Sequence, residues 1–149
     1  MGEMLGYMLT WTTYGTWLQG DERGWVKDGE RLGANAGLKQ SNEERMIQSA
    51  VRLNSEQKEV VRRCLLEQAE RVGQEVLALA VWSTHVHVVL GANEESIEKA
   101  AGYYKNGTRK ALHDQGLKGK VWTKGYDKSF CYDEGVLEQK IAYVEGHGD

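Results

Sequence analysis

The stretch ALAVWSTHVHVVL, residues 78–90, decides the fold because it joins two apolar runs and carries two histidines. The first run, 74–82, contains Val, Leu and Ala without polar alternation, which predicts a central strand buried on both faces. A turn at 83–84 then predicts a tight hairpin with the next strand. Because side chains alternate along a strand, His85 and His87 share one face, with Cα atoms roughly 6 to 7 Å apart.

Two imidazoles at this spacing form half of a metal site. A lone histidine in a strand is more often a half-buried, hydrogen-bonded side chain than a ligand. Two histidines on one core face would be costly without partners, and from this spacing both reach one divalent ion. His85 and His87 are therefore candidate metal ligands.

Composition limits the class of protein. A chain of 149 residues and 16.8 kDa predicts a single domain, 1–149, large enough to fold on its own core. The net charge of -3 gives no global electrostatic reason to bind nucleic acid. Two distant cysteines, no signal-peptide pattern and no apolar span predict a reducing, cytoplasmic location without a membrane partner.

The other elements complete an α+β pattern. Glycines spaced along 15–38 exclude a helix or a long strand there and predict a functional loop. Without that loop the predicted order is βαββαβ, a ferredoxin-like sandwich with a central antiparallel sheet, the histidine strand at its centre, a long N-terminal loop insertion and an extra C-terminal helix. The predicted elements are a strand at 6–14, a short helix at 42–51, a helix from Asn54 or Ser55 to Gly73, a helix capped by Asn93 or Ser96, strand content at 121–132 and a helix at 134–145.

Positive charge is concentrated in residues 104–128, where seven Lys and Arg face two Asp, a net charge of plus five. The plain interpretation is a solvated helix face followed by a basic loop. The alternative is a DNA-binding surface, because lysines interleaved with aromatic rings bind phosphates and stack on unpaired bases. Two loop tryptophans are stacking candidates too, against an alternative in which they cover the sheet. The candidate DNA-binding residues are Lys105, Arg109, Lys110, Lys120, Trp122, Lys124, Trp17 and Trp25.

The last predicted helix carries Tyr143 and, four residues later, His147, which places both on one helical face. If His147 completes a metal site with His85 and His87, the phenol lies beside the ion. A tyrosine that attacks a metal-bound phosphate forms a covalent phosphotyrosine. The rival tyrosines are Tyr103 and Tyr104, on the helix after the histidine strand.

These motifs resemble a known family. HVH is similar to the HUH signature, and YVEGH is similar to the single-tyrosine motif of small insertion-sequence transposases and REP-associated tyrosine transposases. The segments WTTYGTWL, LALAVWSTHVHVVL and VWTKGY resemble the same group, so the resemblance covers most of the chain.

The resemblance implies metal-dependent nicking and rejoining of single-stranded DNA, often beside a hairpin, through a 5′-phosphotyrosine. The metal pair maps onto His85 and His87, and the nucleophile onto Tyr143. The third ligand, usually Gln or Asn, maps onto His147, and an imidazole there lets manganese, zinc or cobalt compete with magnesium. The family is commonly dimeric, which implies a homodimer, although related members act alone.

Two alternatives remain. The first is a DNA-binding module of the same fold without catalysis. The second is a histidine-triad nucleotide hydrolase, whose HxHxH strand needs a histidine where this chain has Val89.

Overall fold

Four of the six strands in the described part of the chain form one antiparallel sheet. The structure is a computed structural model that describes residues 3–16, 25–27, 30–32 and 49–146. The sheet has the spatial order β4, β5, β1, β6, while β2 and β3 form a separate two-stranded antiparallel sheet. In chain order the elements are β1 (Gly6–Thr12), β2 (Trp25–Lys27), β3 (Glu30–Leu32), α1 (Ser55–Val72), β4 (Val76–Val81), β5 (His85–Gly91), α2 (Ile97–Asp114), β6 (Asp127–Cys131) and α3 (Glu134–Glu145).

This topology confirms the predicted ferredoxin-like sandwich. Apart from the small two-stranded sheet and α3, the elements follow as β1, α1, β4, β5, α2, β6, and the histidine strand β5 is central. The hairpin between β4 and β5 is as tight as predicted, because the Trp82 N–H donates to the His85 carbonyl oxygen at 2.8 Å.

β4 lies at the edge of the sheet, so the prediction of a central strand for 74–82 is wrong. The apolar sequence has another cause: α1 packs on one face of β4 and α3 packs on the other. Ala78 and Ala80 are buried with α3, and Val81 is buried in the core shared with α1 and α2. An edge strand covered by a helix on each face needs the same apolar residues as a central one.

The N-terminal insertion is described only in part. Within the predicted loop 15–38, β2 and β3 form a two-stranded ladder in which Trp25 pairs with Leu32. Of the predicted helix at 42–51, residues 49–51 are described and are not helical, and the remainder lies outside the described residues.

The helix ends are set by local side chains. Asn54 caps α1 in a capping box with Gln57, and Gly73 ends the helix in the left-handed conformation at φ 67°. The Ser96 hydroxyl caps α2, and the Asp133 carboxylate caps α3. The sequence predicted the caps at Asn54 and Ser96, and each of the three caps accepts a backbone N–H at the start of its helix.

The sheet separates two apolar clusters. On one face, α1 and α2 cover the larger cluster, which includes Leu9, Trp11, Val86 and Val88. On the other face, α3 places Val144 against Ala78, Ala80 and Val89. Since Val89 shares its face with the two histidines, the histidines lie on the α3 side of the sheet, as the alternation predicts.

α1 and α2 approach closely at Gly107. A Cβ on Gly107 would overlap the Gln68 side-chain amide of α1 and would lie 2.8 Å from its oxygen. That amide is buried and donates to the Tyr103 carbonyl oxygen at 2.8 Å. By contrast, no atom lies within 4 Å of a Cβ built on Gly102. Of the two glycines in α2, only Gly107 is required by packing.

Candidate active site

The two histidines lie side by side where β5 begins. In the register of the sheet, His87 pairs with Thr10 and His85 pairs with Thr12 of β1. The imidazole centroids are 4.7 Å apart, and the rings meet edge to face at 75°. His85 also stacks on Trp82 at 4.8 Å, and His87 is only 8% exposed. The predicted pairing of the two rings on one face is therefore present.

Each imidazole contacts a threonine hydroxyl through Nδ1. The His87 Nδ1 lies 2.8 Å from the Thr10 Oγ1, and the His85 Nδ1 lies 3.1 Å from the Thr84 Oγ1. These contacts restrict the rotation of both rings.

Tyr143 of α3 lies beside the histidine pair. Its ring centroid is 5.7 Å from that of His87, with an interplanar angle of 74°. The adjacent Val144 is buried against β4 and β5, which sets the rotation of α3 and directs Tyr143 toward the histidines of its own chain. Tyr143 remains 50% exposed, so a ligand from solvent can reach it.

The rival tyrosines lie on the opposite side of the sheet. Tyr104 is fully buried and its hydroxyl donates to the Gln74 Oε1 at 2.7 Å. Burial raises the pKa of Tyr104 well above its ordinary value, which disfavours a phenolate. The Tyr103 hydroxyl donates to the Gln68 carbonyl oxygen of α1 at 3.1 Å. Neither phenol therefore lies on the histidine face of the sheet, where Tyr143 lies.

The donor set fits a divalent ion in part. Two adjacent imidazoles, each held by a hydroxyl, are suitable neutral ligands. Within the described ranges, no cluster of three His, Cys, Asp or Glu residues could hold a metal ion. The predicted third ligand, His147, lies outside the described residues.

A second feature is a basic groove between α2 and the segment 120–124. It has a volume of about 430 Å³ and brings together five of the eight candidate DNA-binding residues. Arg109, Lys120 and Lys124 are exposed at this groove. The Lys120 ammonium lies 5.5 Å from the centroid of the Tyr14 ring, a cation–π distance. The residues lining the groove are Tyr14, Gly15, Lys105, Asn106, Arg109, Lys120, Val121, Trp122, Thr123 and Lys124.

Lys105 differs from the other cations of the groove. Its ammonium donates to the carbonyl oxygens of Thr123 at 2.8 Å and Gly125 at 2.6 Å. Burial lowers the pKa of Lys105 to about 8. The side chain therefore fastens the segment 120–124 to α2.

The aromatic candidates are placed differently from one another. Trp122 is 9% exposed, meets Trp11 edge to face at 6.0 Å, and donates its indole N–H to the Thr108 hydroxyl and the Lys105 carbonyl oxygen. Little of its ring is accessible to a base. The Trp25 side chain and all of Trp17 lie outside the described residues. Lys110 is exposed on α2 and does not line the groove.

The groove and the histidines lie at the same end of the sheet, the groove beside α2 and the histidines on the α3 face. The Thr123 N–H donates to the Thr12 carbonyl oxygen, and the Thr13 N–H donates to the Thr84 carbonyl oxygen. The groove wall and the start of β5 are thus separated by the end of β1, a distance of about 10 Å at ordinary strand spacing.

The sequence reasoning missed Thr10, Thr84 and Tyr14. A signal for Thr10 was present, since alternation places it on the face of β1 opposite to Leu9 and Trp11, next to the histidine strand. Tyr14 had no such signal, because its place at the groove depends on the fold of residues distant in sequence.

No helix in the described part of the chain is long and apolar enough to cross a membrane.

Comparisons with known proteins identify a family and similar folds. The family model described as "Transposase IS200 like" matches residues 46–147. The fold is similar to that of a REP-associated tyrosine transposase solved bound to a REP hairpin, with a TM-score of 0.58, 12% identity, and coverage of 97% of this chain and 67% of that chain. It is also similar to a putative transposase from Deinococcus radiodurans R1, with a TM-score of 0.51, 18% identity, and coverage of 100% and 95%.

Structural likeness at such low identity establishes the fold alone, and no curated protein sequence matches the chain significantly. The family model is the stronger finding, since it covers most of the chain from before α1 to beyond α3. It includes the histidine strand, the basic groove's α2 wall and Tyr143. This chain belongs to the IS200-like transposase family.

Proposed function

We propose that this protein cleaves and rejoins single-stranded DNA with Tyr143 as its nucleophile. The observation that carries the proposal is the position of a half-exposed tyrosine ring 5.7 Å from the ring of His87, on the one face of the sheet where two imidazoles are paired. A phenol in that place can approach the same phosphate that an ion bound to the two histidines would contact.

Each step of the proposed reaction forms one ester bond at phosphorus and breaks another. The Tyr143 phenol loses its proton as its oxygen bonds to phosphorus, the bond between phosphorus and the 3′ oxygen breaks, and the 3′ oxygen takes up one proton, so the proton count balances. The product is a 5′-phosphotyrosine and a free 3′ hydroxyl. A second 3′ hydroxyl then attacks the phosphotyrosine, which restores the tyrosine and rejoins DNA.

His85 and His87, with His147 as the proposed third ligand, would hold a divalent ion, magnesium or manganese, with zinc or cobalt as competitors. Such an ion neutralises the charge that develops on the phosphoryl oxygens. The chain's own residues orient the reaction: the α3 packing around Val144 positions the tyrosine, and the stacking on Trp82 fixes the His85 ring.

The basic groove is the proposed DNA-binding surface. Arg109, Lys120 and Lys124 are its exposed cations and would bind phosphates, while Lys105 holds the groove in shape. Trp122 would form the floor of the groove. We propose that Trp17 and Trp25 stack on unpaired bases. The structural neighbour was solved with a REP hairpin, which supports single-stranded DNA beside a hairpin as the substrate.

The test of the nucleophile is a covalent adduct. The protein is incubated with Mn²⁺ or Mg²⁺ and single-stranded oligonucleotides that carry hairpins from its genomic neighbourhood. Wild type and Tyr132→Phe should form an adduct that survives denaturing electrophoresis. Tyr132 is similarly exposed, but it follows Cys131, which pairs with Gly6 at the end of β1 remote from the histidines. Tyr143→Phe should form none, and mass spectrometry should locate the DNA on Tyr143.

An adduct of Tyr143→Phe at the wild-type level would reject this nucleophile. If wild type forms no adduct with any substrate yet binds DNA in a salt-sensitive way, the protein is a binding module without catalysis.

The groove is tested by matched substitutions on one helix. Arg109→Ala should weaken DNA binding and reduce the slope of log affinity against log salt by about one. Lys110→Ala is the control, because this residue is equally exposed on α2 but lies outside the groove. Equal losses in the two variants would mean that α2 attracts DNA only through its general charge.

A further inference from the structure

We infer that Thr10 and Thr84 are positioning residues that hold the two histidines in the orientation and tautomer needed to bind a ligand through Nε2. This inference rests on the proposed metal site, and it concerns side chains that no sequence motif indicated.

The same ring atom is engaged in both histidines. The Thr10 hydroxyl reaches the Nδ1 of His87 from the neighbouring strand, at 2.8 Å, and the Thr84 hydroxyl reaches the Nδ1 of His85 from the preceding residue, at 3.1 Å. Two unrelated backbone positions therefore supply the same chemical partner to the same atom.

The direction of the hydrogen bond between the threonine hydroxyl and Nδ1 is linked to which nitrogen is available to a ligand. A neutral imidazole carries one N–H, and its other nitrogen has a lone pair. When the hydroxyl oxygen accepts from Nδ1–H, the lone pair is on Nε2, which suits a metal or another electrophile. When the hydroxyl instead donates to Nδ1, the proton is on Nε2 and that atom cannot bind a metal. A ligand at Nε2 thus selects the arrangement in which both threonines accept.

The position of Thr10 on a strand explains why its hydroxyl can be removed without preventing folding. Thr10 lies on the strand β1, where valine satisfies the same backbone preference and nearly the same shape. Thr12 occupies the equivalent place opposite His85, but its hydroxyl makes no hydrogen bond to either imidazole among the described side chains. Thr12 is therefore a matched control on the same strand and the same face.

The experiment uses the full-length protein and two readouts. Long-range ¹H–¹⁵N NMR at about pH 8.5, where imidazoles are neutral, measures the tautomers of His85 and His87 in metal-free protein. Titration with Mn²⁺ measures ion affinity without DNA. The variants are Thr10→Val, Thr84→Val, Thr10→Ser and the control Thr12→Val, each checked for folding by circular dichroism.

We expect Thr10→Val to shift the His87 tautomer populations and to weaken Mn²⁺ binding by about 10- to 100-fold, with Thr84→Val acting in the same way on His85. Thr10→Ser should restore both values, and Thr12→Val should stay within about twofold of wild type. Unchanged tautomers in both valine variants would overturn the inference.

The two readouts separate this inference from the proposed function. If wild type binds no Mn²⁺, the metal part of the proposed function fails, while the tautomers still report whether the threonines position the rings. If wild type binds Mn²⁺ and both valine variants bind it equally well, the metal site stands and the role of the threonines is rejected.

Discussion

Replacement of either glycine in α2 by alanine tests the packing of the two helices, because the two changes should have opposite signs. Alanine is favoured over glycine inside a helix by about 1 kcal/mol. At Gly102 the new methyl group meets no atom within 4 Å, so Gly102→Ala should stabilise the fold by about 0.5 to 1 kcal/mol.

At Gly107 the methyl group would occupy the space of the Gln68 amide. The amide must leave its site and lose the bond to the Tyr103 carbonyl oxygen, 2.8 Å long. The overlapping atoms end a flexible side chain, so the amide can move aside, and a buried amide without its partner costs about 1 to 3 kcal/mol. After the gain in helix propensity of about 1 kcal/mol, Gly107→Ala should destabilise the protein by about 1 to 2 kcal/mol.

Urea unfolding followed by circular dichroism measures both values. The double variant Gln68→Ala with Gly107→Ala identifies the cause, because without the amide the alanine at 107 should cost little. The coupling free energy between the two substitutions should be at least about 1 kcal/mol. A Gly107→Ala variant as stable as wild type would refute this reasoning, and so would the absence of coupling to Gln68.

Three further predictions concern a buried cation, a helix cap and a rival tyrosine. Because burial lowers the Lys105 pKa from 10.5 to about 8, the folded state binds fewer protons than the unfolded state between these pH values, so stability should rise with pH there. Relative to Lys105→Met, the free energy of unfolding of wild type should rise by about 1 to 2 kcal/mol across that pH range, a value reduced for solvent screening. Urea unfolding measures it. Asn54→Ala should cost about 1 kcal/mol by removing the acceptor for the Gln57 N–H, whereas Asn54→Asp should cost little in the same assay. Tyr104→Phe should cost about 1 to 2 kcal/mol by leaving the Gln74 oxygen without its donor, yet the adduct yield per folded molecule on denaturing gels should be unchanged.

Local patterns in the sequence predicted the parts of the fold that depend on neighbouring residues. The alternation around His85 and His87 gave their common face, and the cap at Asn54 and the glycine at Gly73 gave both ends of α1. The bounds of α3 also agree with the predicted range 134–145, and the structure adds the Asp133 cap, which the sequence analysis did not name. Each of these features is determined within about one turn or one strand.

Features that depend on distant contacts were harder to predict. An apolar run does not show whether its strand is central or is an edge strand covered by two helices. The predicted central position of β4 was therefore wrong. The basic segment predicted a DNA surface, but composition could not show that Lys105 bonds to backbone carbonyls or that Trp122 packs on Trp11. Those outcomes depend on how α2 meets the segment 120–124.

The division of the core between the two faces of the sheet has a consequence for motion. The helix that carries Tyr143 is held by the smaller cluster, in which Val144 is its one buried side chain among the described residues. Opening of α3 would leave the larger cluster between the sheet, α1 and α2 intact, so it requires less free energy than global unfolding. The histidines lie on a strand that the larger cluster supports from its other face, whereas the tyrosine lies on a helix that the smaller cluster holds.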